Sequence, residues 1–293
     1  MSENQRKLTV LKALGNLVLV CVTLLAASLA VGCKELAKQK EQMAKTDGEL
    51  IGRHFYMPRD GAEDVDMNLY LHGDGQTRPL VVNLHGGAFI AGDSDTLDTQ
   101  SDRISHAWNV NVATVNYKLA GGGYDVAYGT KEAVDAVKYF IVHADEYCVD
   151  SSKIFILGYS AGAYHAAAAV LDLKREGIDT AGQILCYGFV KPICEAYLRL
   201  TEEERKTVAP ALFILADYDP ISSGSLSYQK LLADNGVRTA TKKYKGAKHG
   251  FIEENNPEYY ELKIAKKSPK QEAAAREAEN FIGAWIGGEL KEQ

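Results

Sequence analysis

Several short stretches of this 293-residue chain are apolar at nearly every position, not at every second one: residues 79–84, 110–116, 153–157, 183–186 and 211–216. A strand with one face in water alternates apolar and polar residues. A strand covered on both faces reads as a continuous apolar run. Between these runs lie segments with apolar residues at helical spacing. A helix closes at 104–108, and others cover 128–143, 161–173, 226–235 (ended by Gly236) and 271–286. Two more polar strands are expected at 67–71 and 238–244. Strands and helices therefore alternate, which predicts a mostly parallel central sheet with helices on both faces. With 46% apolar and 25% charged residues, the chain can bury a sizeable core. It shows no internal repeat.

The N-terminus is expected to stand apart from that domain. Arg6, Lys7 and Lys12 precede an uncharged run, residues 13–33, which stops at Lys34-Glu35. This is the pattern of a secretory segment or short membrane anchor. Its end, Leu29-Ala30-Val31-Gly32-Cys33, resembles a bacterial lipoprotein processing site, with Ala30 where Leu is more usual. The resemblance implies a lipid on Cys33. The competing readings are cleavage after Ala30 with full secretion, or an uncleaved anchor. The expected organisation is a signal or anchor at 1–32, a polar tether at 33–50 and a catalytic domain at 51–293, the last outside the cytoplasm. The partners expected are a membrane, reached through the N-terminus, and a small molecule.

The net charge of −6 and the lack of a Lys/Arg stripe argue against nucleic acid. No Cys/His spacing suggests a zinc site, and no cofactor or metal is expected. Cys148, Cys186 and Cys194 allow at most one disulfide. The plainer expectation is three buried thiols.

The chemistry lies where strands end, as expected of ligand sites in such sheets. Gly158-Tyr159-Ser160-Ala161-Gly162 joins the strand at 153–157 to the helix at 161. A serine on this sharp turn is held in a strained backbone, and bare neighbours let strand and helix close around it. The N–H of Ala161 then faces the place where negative charge develops. Alone, the pentapeptide is a weak signal. A second motif, His85-Gly86-Gly87-Ala88-Phe89, follows the strand at 79–84. Acyl transfer passes through a tetrahedral oxyanion that needs preorganised N–H donors, and a glycine loop here supplies them.

With a serine elbow in such a sheet, the acid and then the histidine follow in sequence. Only His165 and His249 come after Ser160. His165 lies five residues into the serine's own helix, so it is read as a packing or surface residue. His249, in the loop Gly246-Ala247-Lys248-His249-Gly250-Phe251, is the candidate base. The acid is Asp217 or Asp219, which leave the strand at 211–216 together. The residues alone do not separate them. Asp172, Asp179 and Asp234 are poorer candidates, and 202–204 reads as a solvated helix start behind Thr201.

From about residue 79 to 251 the chain resembles the hormone-sensitive-lipase-like bacterial esterases. The resemblance is carried by His85-Gly86-Gly87-Ala88-Phe89, Tyr117-Lys118-Leu119-Ala120, the Ser160 pentapeptide, Asp219-Pro220-Ile221 and His249-Gly250-Phe251. It implies an α/β-hydrolase fold and a serine esterase with catalytic Ser160, Asp219 and His249. It also implies oxyanion donors at Gly87, Ala88 and Ala161, with Asp217 in a supporting or capping role. The chain departs from the family at Ala88, in place of a third Gly, and at Gly121-Gly122-Gly123, in place of a Pro-rich stretch. Ser222-Ser223 also replaces an acidic position, and the N-terminal cap helices are hardly present. Only residues 191–209 could form a small cap, so an open site is expected. Ester hydrolysis on short-acyl or acetyl groups is the primary expectation. A peptidase or amidase of the same fold, or a non-catalytic binding module, are the alternatives.

Overall fold

In a computed structural model, residues 50–255 and 268–292 are described, apart from 122, 220 and 222. The signal segment, Cys33 and residues 34–49 of the tether lie outside the described residues. Among the described residues no helix is long and apolar enough to cross a membrane. The contacts group Asp47–Gln293 as one unit.

Eight strands form one sheet. They are β1 (Arg53–Met57), β2 (Val65–Tyr70), β3 (Arg78–Leu84), β4 (Asn111–Val115), β5 (Val149–Tyr159), β6 (Gly182–Cys186), β7 (Ala211–Tyr218) and β8 (Thr239–Lys248). Their order across the sheet is β1-β2-β4-β3-β5-β6-β7-β8. The first two pairings are antiparallel, and all those from β4 to β8 are parallel. The α/β-hydrolase fold expected from the sequence is the fold found.

The continuous apolar runs have a direct physical outcome. Successive side chains point to opposite faces. Leu80, Val82, Leu84, Ile154, Ile156, Phe213 and Leu215 therefore enter one core, while Val81, Phe155, Leu157, Leu212 and Ile214 enter another. Helices α1 (Asp98–Trp108) and α7 (Pro269–Glu292) cover the second core through Ile104, Ala275, Ala278 and Ile282. Helices α2 (Val126–Val142), α3 (Ala161–Arg175) and α6 (Ser223–Asp234) cover the first through Val134, Val137, Ala166, Ala169 and Tyr228. The segment at 191–209 forms only two short helices, α4 (Ile193–Leu198) and α5 (Glu202–Lys206). The latter starts with a reciprocal capping box between Thr201 and Glu204.

The differences from the sequence reading lie mainly at element ends. β5 begins at Val149, before the apolar run at 153, and β8 runs on to Lys248 through polar residues. β1 pairs with β2 at the edge of the sheet and is mostly exposed, so its sequence carries no burial pattern. The cysteines also differ from expectation. Among the described residues Cys148, Cys186 and Cys194 are all unpaired, but only Cys186 is fully buried, while Cys148 and Cys194 are half-buried.

One feature of this topology fixes the site. Leu84, Tyr159, Tyr218 and Lys248 are the last residues of parallel strands β3, β5, β7 and β8. The next residues are His85, Ser160, Asp219 and His249. These four residues therefore all follow the carboxyl ends of parallel strands, at one end of the sheet.

Candidate active site

Ser160 sits between β5 and α3 with φ 51° and ψ −110°. That left-handed conformation is costly for a residue with a Cβ, so the surroundings must enforce it. The flanking glycines show how. A Cβ on Gly158 would lie 2.2 Å from the carbonyl oxygen of Gly162, and one on Gly162 would lie 2.2 Å from that of Leu84. Strand, helix and the end of β3 thus meet at backbone contact around the serine. The Ser160 N–H donates to Cys186 O at 2.9 Å, tying the turn to β6.

The side chains form a continuous relay. Ser160 Oγ lies 2.8 Å from His249 Nε2, and His249 Nδ1 lies 2.9 Å from Asp219 Oδ2. With the ring proton on Nδ1, the imidazole donates to the carboxylate and leaves Nε2 free to accept from the hydroxyl. The Asp219 side chain is fully buried, whereas that of His249 is 31% exposed. A dry carboxylate behind a partly open imidazole suits an acid that orients and a base that meets substrate. The other Asp219 oxygen accepts from Ile221 N at 2.9 Å. Asp217 instead pairs with Lys243 at 2.9 Å and accepts from Gly246 N at 3.2 Å. Both partners hold its carboxyl below the usual range, the Lys243 hydrogen bond most strongly. Asp217 braces β7 against β8, and Asp219 is the aspartate within hydrogen-bond reach of His249.

The glycine loop after β3 is equally constrained. Gly87 has φ 125°, and a Cβ there would fall 1.8 Å from Ala91 O. Ala88 and Phe89 both adopt left-handed φ values, 54° and 69°, at a cost of roughly 1–2 kcal/mol each. Several bonds hold this shape. Ile90 N and Ala91 N donate to Gly87 O, and Ala120 N donates to Phe89 O at 2.7 Å. The Tyr117 hydroxyl donates to His85 O at 2.8 Å, with its ring stacked on His85 at 4.2 Å. Tyr117 thereby acts from beneath the loop, through the same tetrapeptide that carried part of the family resemblance. The N–H groups of Gly87, Ala88 and Ala161 donate to no described acceptor. Ala161 opens α3, where the first N–H groups of a helix have no partner within it.

His165 is not part of the relay. It is 1% exposed, lies 2.9 Å from the Thr130 hydroxyl and packs against the rings of Tyr117 and Phe89. Burial, helped by His85, pushes its pKa down to about 3, so it stays neutral.

The sequence reading missed two residues at the site, Glu253 and Tyr187. Glu253 is 3% exposed and accepts from Gly86 N at 2.7 Å through Oε1 and from the Tyr187 hydroxyl at 3.4 Å through Oε2. Burial raises its pKa to about 7, against the opposing pull of the Gly86 N–H and His249. Tyr187 has φ 39° and sets its ring edge-on to His249 at 5.2 Å. The one available signal was an acid four residues beyond His249 in an apolar stretch, Phe251-Ile252-Glu253.

Known proteins resemble this chain in sequence and in fold. Residues 81–205 match the model of a family described by the alpha/beta hydrolase fold. An arylesterase from Saccharolobus solfataricus is 25% identical, over 59% of this chain and 68% of its own. An acetyl esterase from Salmonella dublin is 27% identical, over 58% of this chain and 64% of its own. Among solved structures, a hyperthermophilic esterase from the archaeon Pyrobaculum calidifontis superposes with a TM-score of 0.70 at 24% identity, covering 88% of this chain and 92% of that one. A fungal esterase from Rhizomucor miehei reaches 0.71 at 20% identity, covering 89% and 90%. At these identities the solved structures speak for the fold alone.

Proposed function

We propose that this chain, similar in sequence and fold to α/β-hydrolase-fold esterases, is one of the hormone-sensitive-lipase-like group and hydrolyses carboxylic esters through a Ser160–His249–Asp219 triad. The observation that carries this is the relay, two hydrogen bonds of 2.8 and 2.9 Å in line from serine to carboxylate. As Ser160 Oγ attacks the ester carbonyl, His249 Nε2 takes its proton. Asp219 stabilises the imidazolium and fixes the tautomer. The N–H groups of Gly87, Ala88 and Ala161 receive the oxyanion, an interaction that strengthens only as charge develops. His249 then protonates the leaving alkoxide. Water activated by the same imidazole hydrolyses the acyl-enzyme.

The substrate class proposed is short-acyl or acetyl esters. The small α4–α5 cap supports an open site. The arylesterase and acetyl-esterase relatives point the same way. Ile90, Phe189, Ile221 and Leu226 are large apolar residues left exposed in the segments that follow β3, β6 and β7, and we take them as the surface offered to acyl and alkoxy groups. Hydrolysis of p-nitrophenyl esters from acetate to octanoate tests this. Turnover should be highest at the short end and absent in Ser160→Ala. Turnover of a matched anilide at a rate equal to the ester would instead favour the amidase reading.

The location proposed is outside the cytoplasm, tethered by a lipid on Cys33. Metabolic labelling with a fatty-acid probe should mark the wild type and not Cys33→Ser. An unlabelled, freely secreted wild type would exclude the tether.

A further inference from the structure

We infer that Glu253 is a positioning residue, which fastens the oxyanion loop to the loop bearing the base through the hydrogen bond from Gly86 N–H to its carboxyl group. This role rests on the esterase reading above. The geometry is unusual in what it joins. Gly86 directly precedes the proposed donors Gly87 and Ala88, and Glu253 lies four residues after His249. The bond spans 167 residues of sequence at 2.7 Å, with both ends buried. No other side chain takes the Gly86 N–H among the described residues. The fit is close on the glycine side as well, since a Cβ on Gly86 would sit 2.8 Å from Glu253 Oε2.

The second carboxyl oxygen extends the clamp. It accepts from the Tyr187 hydroxyl, which in turn accepts from Glu253 N at 3.4 Å. The Tyr187 ring lies against both His249 and Phe251. One side chain thus touches the entry to the oxyanion loop and the aromatic wall of the imidazole. Its surroundings make it expensive. The titratable groups around it are His249 and Glu254 on its own loop, Tyr187 and Cys186 from β6 and the turn beyond it, Tyr159 from β5 and Tyr117 beyond β4. Burial is the main force on Glu253. Simple packing between Phe251 and the sheet would be better served by an apolar residue, because an acid here pays desolvation. What an apolar residue lacks is an acceptor for the Gly86 N–H.

The proposal separates from a purely structural role by the kind of loss. Oxyanion contacts act in the transition state, so displacing them lowers kcat and leaves KM nearly unchanged. Glu253→Met keeps volume and removes the acceptor, while Glu253→Gln keeps an acceptor oxygen. With p-nitrophenyl acetate, Glu253→Met should lose about 10- to 100-fold in kcat with KM within about twofold. Glu253→Gln should stay within about threefold of wild type, its side-chain oxygen replacing the carboxylate. Melting curves establish that each variant is folded at the assay temperature. The inference is overturned if folded Glu253→Met keeps its kcat, if its loss falls on KM, or if Glu253→Gln loses more than about tenfold. The last result decides the matter even if Glu253→Met does not fold. A folded wild type without hydrolytic activity would instead refute the esterase reading beneath the proposal.

Discussion

Replacing Gly162 by alanine sets two physical effects against each other. Gly162 lies in the first turn of α3, where helix propensity alone favours Ala by about 1 kcal/mol. The packing opposes it. The new methyl would fall 2.2 Å from Leu84 O and 2.5 Å from His85 O, both backbone atoms that cannot swing aside. Relief requires β3 or α3 to shift by roughly 1 Å, and overpacking of this kind costs about 1–3 kcal/mol. The clash should win. Set against the propensity gain, a net loss of up to about 2 kcal/mol remains, and at about 2–4 °C per kcal/mol for a domain of this size melting should fall by up to roughly 8 °C. The shift falls on the serine turn and the start of the oxyanion loop together, so kcat/KM should drop on the order of 100-fold. Gly288→Ala is the control, because that glycine is exposed in α7 and its Cβ would meet nothing within 4 Å. It should raise melting by a few degrees and leave hydrolysis unchanged. Differential scanning calorimetry and p-nitrophenyl acetate turnover read both. A Gly162→Ala enzyme that melts above wild type and stays active would refute the packing argument at the serine turn.

Other expectations follow from the same geometry. Asp219→Asn should cut kcat by about 10³- to 10⁴-fold by favouring the wrong imidazole tautomer, while Asp217→Asn, bound to Lys243 and Gly246, should stay within about tenfold; steady-state kinetics of the pair checks both. His165 binds a proton at about 3 in the folded chain and at its ordinary 6.5 when unfolded. The stability it confers is therefore complete above pH 6.5 and is lost as pH falls toward 3. Urea titrations should show His165→Gln with a shallower acid limb than wild type. Because Cys148, Cys186 and Cys194 are free thiols, dithiothreitol should leave the melting temperature of the catalytic domain unchanged.

The fold was legible because burial on both faces leaves a dense signal. The runs at 79–84, 153–157 and 211–216 each supply side chains to two cores at once, and the buried polar residue within the first, Asn83, is held by a hydrogen bond to Ser101. The serine, the glycine loop and the histidine were legible because backbone geometry restricts which residues can occupy those turns. The choice of acid was not. Asp217 is the last but one residue of β7 and Asp219 the first beyond it, with a register irregularity between Ala216 and Tyr218, and the one pairs with Lys243 of β8 while the other pairs with His249. Local sequence does not encode that irregularity. Glu253 was equally hidden, since its meaning is a contact 167 residues away. The edge strand β1 and the polar half of β8 face solvent, where burial imprints no pattern.

The central claim is that Ser160 is an activated nucleophile. Intact-protein mass spectrometry after treatment with a fluorophosphonate measures this most directly. One phosphonyl adduct should form and map to the peptide containing Ser160. It should be absent in Ser160→Ala and form far more slowly in His249→Ala. Failure of the folded wild type to form an adduct, or an adduct on another serine, would contradict the account.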